Sequence, residues 1–406
     1  MKVAIVNQPL KNRGDEAAHK AFIRRIIKEK AISEIDVIFL NAQKKDIDEI
    51  KVDNEKVNYI NLQGISRASY WCMKFCIMHK NFLLSYIHPL LCQYIKLIKK
   101  YDCVICAPGG ICMGGFMNWS HIWQLYIPMR YKKRIVYWSR SIGPFTNDDF
   151  AHQVFAKRSE ELLNYFAYLS VRDEISFSLA QKSNINTHIT LDSVFLEQHK
   201  CDFSIEKLGV LEGERYCVVV PNELTWHYKY SKISQVAVDD FFINILEKLT
   251  VKYPNYKIVM LPQLNNINRG DYIYFCSLKN KVKNGKNIVV LPEQINSDIQ
   301  QLIIRKADFL IGARYHSIIF AINTETKFVS LSYEHKMRGM LKILNLSDRE
   351  INLEAMLCGN RCIYEDVYKN LFDKLDLEYD THYYRNKAHL MVEEAIGIMM
   401  NKIMGN

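Results

Sequence analysis

Ile311-Gly312-Ala313-Arg314-Tyr315-His316, followed by Phe328 to Leu331 and then Tyr333-Glu334-His335-Lys336, decides the reading of this chain. Ala307 to Ile311 is short, apolar and closed by glycine, which predicts a buried strand. Ser317 to Ile322 predicts the start of a helix. Arg314 and His316 then stand at the carboxyl end of a strand, on the loop into a helix, where ligands bind in open α/β sheets. Phe328 to Leu331 predicts a second strand, delivering Glu334 and Lys336 to the same rim. Arginine offers a fixed fork of donors for a carboxylate or phosphate. Histidine is suited to give or take a proton near neutral pH.

Outward from this stretch, the same rhythm repeats. Val3 to Asn7, Ile35 to Leu40, Asp102 to Ala107, Arg134 to Trp138, Phe166 to Val171 and Thr187 to Leu191 predict strands. Helices are expected over Ala17 to Lys28 and Glu174 to Gln181. Glycines mark the strand ends at Gly109-Gly110, Gly114-Gly115 and Gly143. After a polar stretch from His199 to Arg215 the pattern restarts. It places strands at Tyr216 to Val220, Lys257 to Leu261 and Ile288 to Leu291, and helices at Val236 to Val251, Tyr272 to Asn280 and Ser297 to Lys306. The tail from Asp366 to Met404 reads as helical, interrupted near Asp380 to Asn386. No internal repeat is evident.

This is an α/β chain with two Rossmann-like, doubly wound domains. The expected division is 1–205, 206–360 and a helical tail 361–406. At 406 residues the chain exceeds one ordinary core. Two such sheets facing across a cleft would put Gly14, Asp15, Gly109, Gly110, Arg140 and Arg172 on one rim. Gln263, Arg314, His316, Glu334 and Lys336 would stand on the other. A cleft so rich in cations and backbone amides suits an anion bearing phosphate, carboxylate or both.

Composition narrows the classes. Apolar residues make up 49% and charged residues 24%, as in globular proteins. Met1 to Val6 predicts a strand rather than a signal peptide. No segment has the ~20 uncharged apolar residues of a membrane span. Eleven cysteines without framework spacing fit a reducing cytoplasm. Cys103 and Cys106 have the spacing of a metal pair, but on a strand they point to opposite faces. There is no G-x-x-x-x-G-K-[ST] loop, no H-E-x-x-H pair and no nucleic-acid module.

The net charge of +10 is uneven: between Lys56 and Asn147 the only acidic residue is Asp102. Arg67, Lys74, Lys80, Lys96, Lys99 and Lys100 interleave there with Tyr70, Trp71, Phe75, Phe82, Tyr86 and Tyr94. Two readings stand. The stretch 67–100 lies on an anionic membrane surface, or its aromatics pack in the core and its lysines are merely solvated.

The ordered motifs resemble the polysaccharide pyruvyl transferase family. They are Asn12-Arg13-Gly14-Asp15-Glu16, Pro108-Gly109-Gly110-Ile111, Gly143-Pro144, Arg172-Asp173-Glu174-Ile175-Ser176, Asp192, Gly312-Ala313-Arg314-Tyr315-His316 and Tyr333-Glu334-His335-Lys336. A third glycine at Ile111 is missing, and the aromatic basic insert is a departure. The resemblance implies a fold like two-domain GT-B glycosyltransferases. It also implies transfer of the carboxyvinyl carbon of phosphoenolpyruvate onto two sugar hydroxyls of a surface glycan or its lipid-linked precursor, in the cytoplasm, with release of phosphate.

The residues suit that reaction: His316 as general acid, Arg172 and Arg314 as anion forks, Lys336 as a point charge, and Asp15 as base or orienter for the acceptor. Gly14, Gly109, Gly110, Gln263 and Glu334 complete the expected substrate contacts. No metal and no cofactor are called for, because basic residues balance the donor charge. Two other readings stay open: a sugar-nucleotide glycosyltransferase of the same architecture, and a non-catalytic glycan- or lipid-associated protein.

Overall fold

The computed structural model describes residues 1–114, 117–146, 148–198, 203–209, 213–265, 270–353 and 363–405. Gly115, residues 199–202 and 210–212 of the expected linker, and the expected boundary at 360 lie outside them.

Two wholly parallel sheets form the frame. The first contains β1 (Lys2–Val6), β2 (Glu34–Leu40), β3 (Val57–Leu62), β4 (Cys103–Cys106), β5 (Arg134–Tyr137), β6 (Tyr168–Val171) and β7 (Thr187–Ile189). Its order is β3-β2-β1-β4-β5-β6-β7. The second contains β8 (Tyr216–Val220), β9 (Lys257–Met260), β10 (Ile288–Val290), β11 (Leu310–Gly312), β12 (Phe328–Ser332) and β13 (Glu350–Asn352). Its order is β10-β9-β8-β11-β12-β13. Each chain path starts in the middle, winds one way and then reverses. The reversal falls between β1 and β4 in one sheet and between β8 and β11 in the other. At such switch points the strand ends leave a crevice for ligands.

The central strands are apolar along their whole length because helices cover both sheet faces. Ala4, Ile5, Val6 and Cys103 to Cys106 are fully buried. Around them Phe22 stacks on Trp138 at 5.2 Å and Tyr137 on Phe166 at 5.2 Å. The Trp138 indole nitrogen donates to Ser193 Oγ at 2.8 Å, which satisfies the one polar atom of that ring.

Neither compact unit is one continuous stretch. The first comprises Met1–Leu10, Asp15–Leu196 and Leu390–Asn406; the second comprises Lys11–Gly14 and Glu197–His389. The expected separate tail is therefore corrected. The helix Ile363–Asp376 belongs to the second unit, while the end of the helix Thr381–Met404 completes the first. There Val392, Ile396, Met399 and Ile403 are buried, and the Arg25 Nε donates to Glu393 at 2.8 Å. The break between these helices falls at 377–380, ahead of the expected Asp380 to Asn386, because Thr381 already begins the second one.

The basic aromatic stretch folds as three helices, Arg67–His79, Leu83–Ile87 and Pro89–Ile98. Ser66 starts the first through a reciprocal capping box with Ser69. Met73, Ile77, Phe82, Tyr94 and Ile95 enter the core. The Tyr94 hydroxyl donates to the Gln124 carbonyl at 2.8 Å and its ring sits 5.1 Å from Trp123. Tyr70, Trp71, Phe75 and Tyr86 remain exposed. So the stretch divides, with part of its aromatics in the core and part on the surface. No helix among the described residues is long and apolar enough to cross a membrane.

One buried titratable group ties stability to pH. Burial first, then the charges of Lys20 and Arg24, pushes His19 down to about 3. Its ring nitrogen Nε2 lies 3.2 Å from the Tyr59 hydroxyl. The fold holds this imidazole neutral, whereas the unfolded chain protonates it below 6.5. Stability is thus intact above 6.5 and falls as pH drops through the window down to about 3. From pH 7 to 4.5 this one group should remove about 3 kcal/mol. Denaturant unfolding at both pH values should show His19→Gln losing less than wild type on acidification; equal losses would contradict the assignment.

Candidate active site

In the second unit the switch point is built by the ends of β8 and β11. Gly312 closes β11, and a Cβ there would run into the Ser317 hydroxyl. That hydroxyl instead donates to the Arg314 carbonyl at 2.6 Å, while Asn222 Nδ2 holds the Ala313 carbonyl at 3.1 Å. Arg314 is extended and precedes the helix Tyr315–Asn323. His316 therefore sits in the first helical turn rather than on a loop, as the sequence had suggested.

The Arg314 guanidinium is not an open fork. Its Nη2 pairs with the Asp271 carboxylate. Asp271 is itself fixed by the backbone N–H groups of Gln263 and Leu264, both donating at 3.0 Å. The pair orients the cation and offsets its charge. Gln263 is buried just past β9, and its side-chain amide nitrogen meets no protein acceptor among the described residues.

Gly14 packs with this second unit rather than with the first, where the sequence placed it. Asn12 bridges Leu264, Arg13 N–H donates to the Gln263 carbonyl at 3.0 Å, and Arg13 Nη2 donates to the Glu293 carbonyl at 2.9 Å. Asn12 Oδ1 accepts the Gly14 N–H at 2.8 Å. This lays the Gly14 backbone directly on the His316 imidazole: a Cβ on Gly14 would fall within the ring's own volume. Glycine is required here by close approach, not by an unusual φ. His316 is 8% exposed, with the Tyr315 ring 5.2 Å from its own.

The β12 end supplies a second charged set. Glu334 lies 3.3 Å from His227 Nε2 and 2.8 Å from Lys336 Nζ. Burial alone would raise the Glu334 carboxyl, but Lys336 and His227 outweigh it and hold it well below the usual range. Lys336 thus comes with a carboxylate, and Glu334 serves that pairing. Lys336 Nζ also sits 5.7 Å above the Tyr315 ring. Burial pushes the Tyr333 phenol up, while Lys336 and Arg314 both act on it in the opposite sense. Tyr315 links Lys336 to His316.

In the first unit the expected anion fork at Arg172 needs correction. Arg172 is 2% exposed, and its Nη1 donates to the fully buried Asp192 at 2.9 Å. The rest of that motif is local architecture. Asp173 accepts the Ser176 N–H at 2.8 Å as a helix cap. Ser176 Oγ in turn accepts the Ile142 N–H at 2.8 Å and donates to the Ile142 carbonyl at 3.1 Å. Arg140 is likewise interior, not on a rim. It donates to the carbonyls of Asn7 at 3.1 Å, Ala107 at 2.9 Å and Gly110 at 3.2 Å, and so shapes the Gly109-Gly110 turn from below. A Cβ on Gly109 would crowd Pro9 and the Arg140 guanidinium. Asp15 lies in the first turn of the helix Arg13–Ile26, half-buried, as its position after a strand suggests.

Sequence reasoning missed Asp271 and His227. A signal for Asp271 was present: Asn-Arg-Gly-Asp occurs twice, at 12–15 and 268–271. This short repeat corrects the reading that none exists. His227 carried no signal, because its partner Glu334 is remote in sequence. Among the described residues no cluster of three or more His, Cys, Asp or Glu is arranged to hold a metal ion.

Such a site holds one histidine and two oriented cations at the strand ends of a Rossmann-like sheet. It can move a proton beside an anionic ligand. The amylovoran biosynthesis protein AmsJ of Erwinia amylovora is similar, at 23% identity over 393 residues, covering 89% of this chain and 90% of that protein. Solved structures show the fold. UDP-GlcNAc 2-epimerase from Neisseria meningitidis, bound to UDP-GlcNAc, matches with a TM-score of 0.62 at 11% identity, covering 100% of each chain. The Methanocaldococcus jannaschii UDP-GlcNAc 2-epimerase matches with 0.57 at 12% identity, covering 94% of each. The family model for polysaccharide pyruvyl transferase spans residues 20–335, well over half of the chain and including Arg314 and His316, so the chain belongs to the polysaccharide pyruvyl transferase family.

Proposed function

We propose that this enzyme transfers the carboxyvinyl group of phosphoenolpyruvate onto two hydroxyls of one sugar in a surface polysaccharide or its lipid-linked precursor. The observation that carries the reading is His316, seated in the first turn of the helix that Arg314 precedes, with Lys336 Nζ 5.7 Å over the adjoining Tyr315 ring. His316 protonates the methylene carbon of the donor, which makes the adjacent carbon electrophilic. One acceptor hydroxyl adds there, phosphate leaves with the C–O bond electrons, and the second hydroxyl closes the ketal. One hydroxyl proton restores His316 and the other departs with phosphate. Arg314 and Lys336 bind the donor's carboxylate and phosphate. No metal or cofactor takes part in this scheme. The acceptor's lipid end places the reaction at the cytoplasmic face of a membrane.

A ligand that binds only the native state raises its melting temperature. Phosphoenolpyruvate should do so here, and phosphate should appear once a lipid-linked glycan is added. A rise with a sugar nucleotide and none with phosphoenolpyruvate would overturn the proposal in favour of a glycosyltransferase.

A further inference from the structure

We propose that the outer face of the helices Arg67–His79 and Leu83–Ile87 is a docking surface for an anionic lipid bilayer. Trp71 and Phe75 are one turn apart and share a face, as do Leu83 and Ile87. Trp71 is 66% exposed and Ile87 68%, in helices whose opposite sides are packed in the core. Exposed tryptophan, tyrosine and aliphatic side chains in one patch suit the headgroup boundary, where apolar bodies sink and polar tips stay wet.

Charge chooses the partner. Lys74 Nζ lies 5.6 Å over the Trp71 ring, so cation and aromatic occupy one spot. The Tyr86 hydroxyl meets the Tyr131 hydroxyl at 2.7 Å, Lys99 lies 4.7 Å over the Tyr131 ring, and Lys133 reaches the Lys99 carbonyl at 2.8 Å. Tyr86, next to Ile87, is thus joined through Tyr131 to the basic pair Lys99 and Lys133. The nearby acids are occupied: Glu161 by Lys80 at 2.8 Å and Arg158 at 2.7 Å, and Asp102 by the Lys2 N–H at 2.8 Å. A protein partner of neutral surface would not need this basic pair; phosphatidylglycerol-like headgroups would.

Vesicle sedimentation of the full chain tests this without any enzymatic turnover, so its failure is separate from failure of the donor assignment. The chain should sediment with phosphatidylglycerol-containing vesicles, less so at high salt, and weakly with phosphatidylcholine alone. Trp71→Ser/Phe75→Ser/Ile87→Ser should weaken binding by about tenfold or more. Lys74→Gln/Lys99→Gln/Lys133→Gln should remove most of the salt dependence. Circular dichroism melting checks that both variants stay folded. No sedimentation with anionic vesicles, or equal binding by both variants and wild type, overturns the proposal. So does a wild-type dimer that the serine variant converts to monomer with no vesicle binding, since the patch would then cover a second copy.

Discussion

Asp192→Ala should lower the unfolding free energy by about 3–5 kcal/mol, because it strands the Arg172 guanidinium in the interior without its counter-charge. Both side chains are sealed from solvent, and Asp192 also accepts the Val194 N–H at 3.2 Å. Equilibrium denaturation measures the loss. Replacing the pair together, as Arg172→Met/Asp192→Leu, should recover much of it, since an apolar pair no longer carries the desolvation penalty. The same experiment separates the two roles open to Arg172. A donor-binding arginine would lose phosphoenolpyruvate affinity and keep its stability. The buried pair predicts the reverse, read well below the melting point of the variant. Unchanged stability in Asp192→Ala would mean that the pair does not exist as described.

His316→Ala should cut turnover by about 100-fold or more while phosphoenolpyruvate still raises the melting temperature. Gly14→Ala is its companion. The added methyl takes the space of the imidazole, so the ring must move, and turnover should fall by about tenfold or more. The double variant decides between a local and a general effect. If Gly14 acts through His316, adding Gly14→Ala to His316→Ala should cost nothing further; independent effects would multiply. Near-full turnover in folded His316→Ala would remove the general acid from the mechanism.

The buried centre of each sheet was plain in the sequence, as were the edge strands β7 and β10, but the opposite edges were not. Tyr216 to Val220 and Cys103 to Cys106 are uninterrupted apolar runs because they are covered on both sides. β3 and β13 escaped notice as edge strands. In β3 Asn58 and Asn61 break the run, and both are satisfied by neighbours, Asn58 by Asp36 at 2.8 Å and Asn61 by the Ala42 carbonyl at 2.7 Å. β13 is only Glu350–Asn352. At the site, Arg314 and His316 were legible because a strand, a glycine and a helix start flank them. What they touch was not. Asp271 lies 43 positions from Arg314, and Gly14 reaches His316 only because four residues of the N-terminal region pack elsewhere. Arg172 misled for the same reason: a motif announces a charge but not whether a carboxylate already holds it.

The salt bridge from Arg25 to Glu393 sets a schedule for biosynthesis. The two residues are 368 positions apart, yet both belong to the unit that holds the first sheet. At roughly 5–20 residues per second, ribosomes need on the order of 20–70 s to travel between them. Throughout that interval the surface later covered by Val392, Ile396 and Met399 is bare apolar protein. The half of the molecule that is made first is thus the half that is finished last, and a nascent chain stalled before codon 390 exposes a sticky face that chaperones must shield.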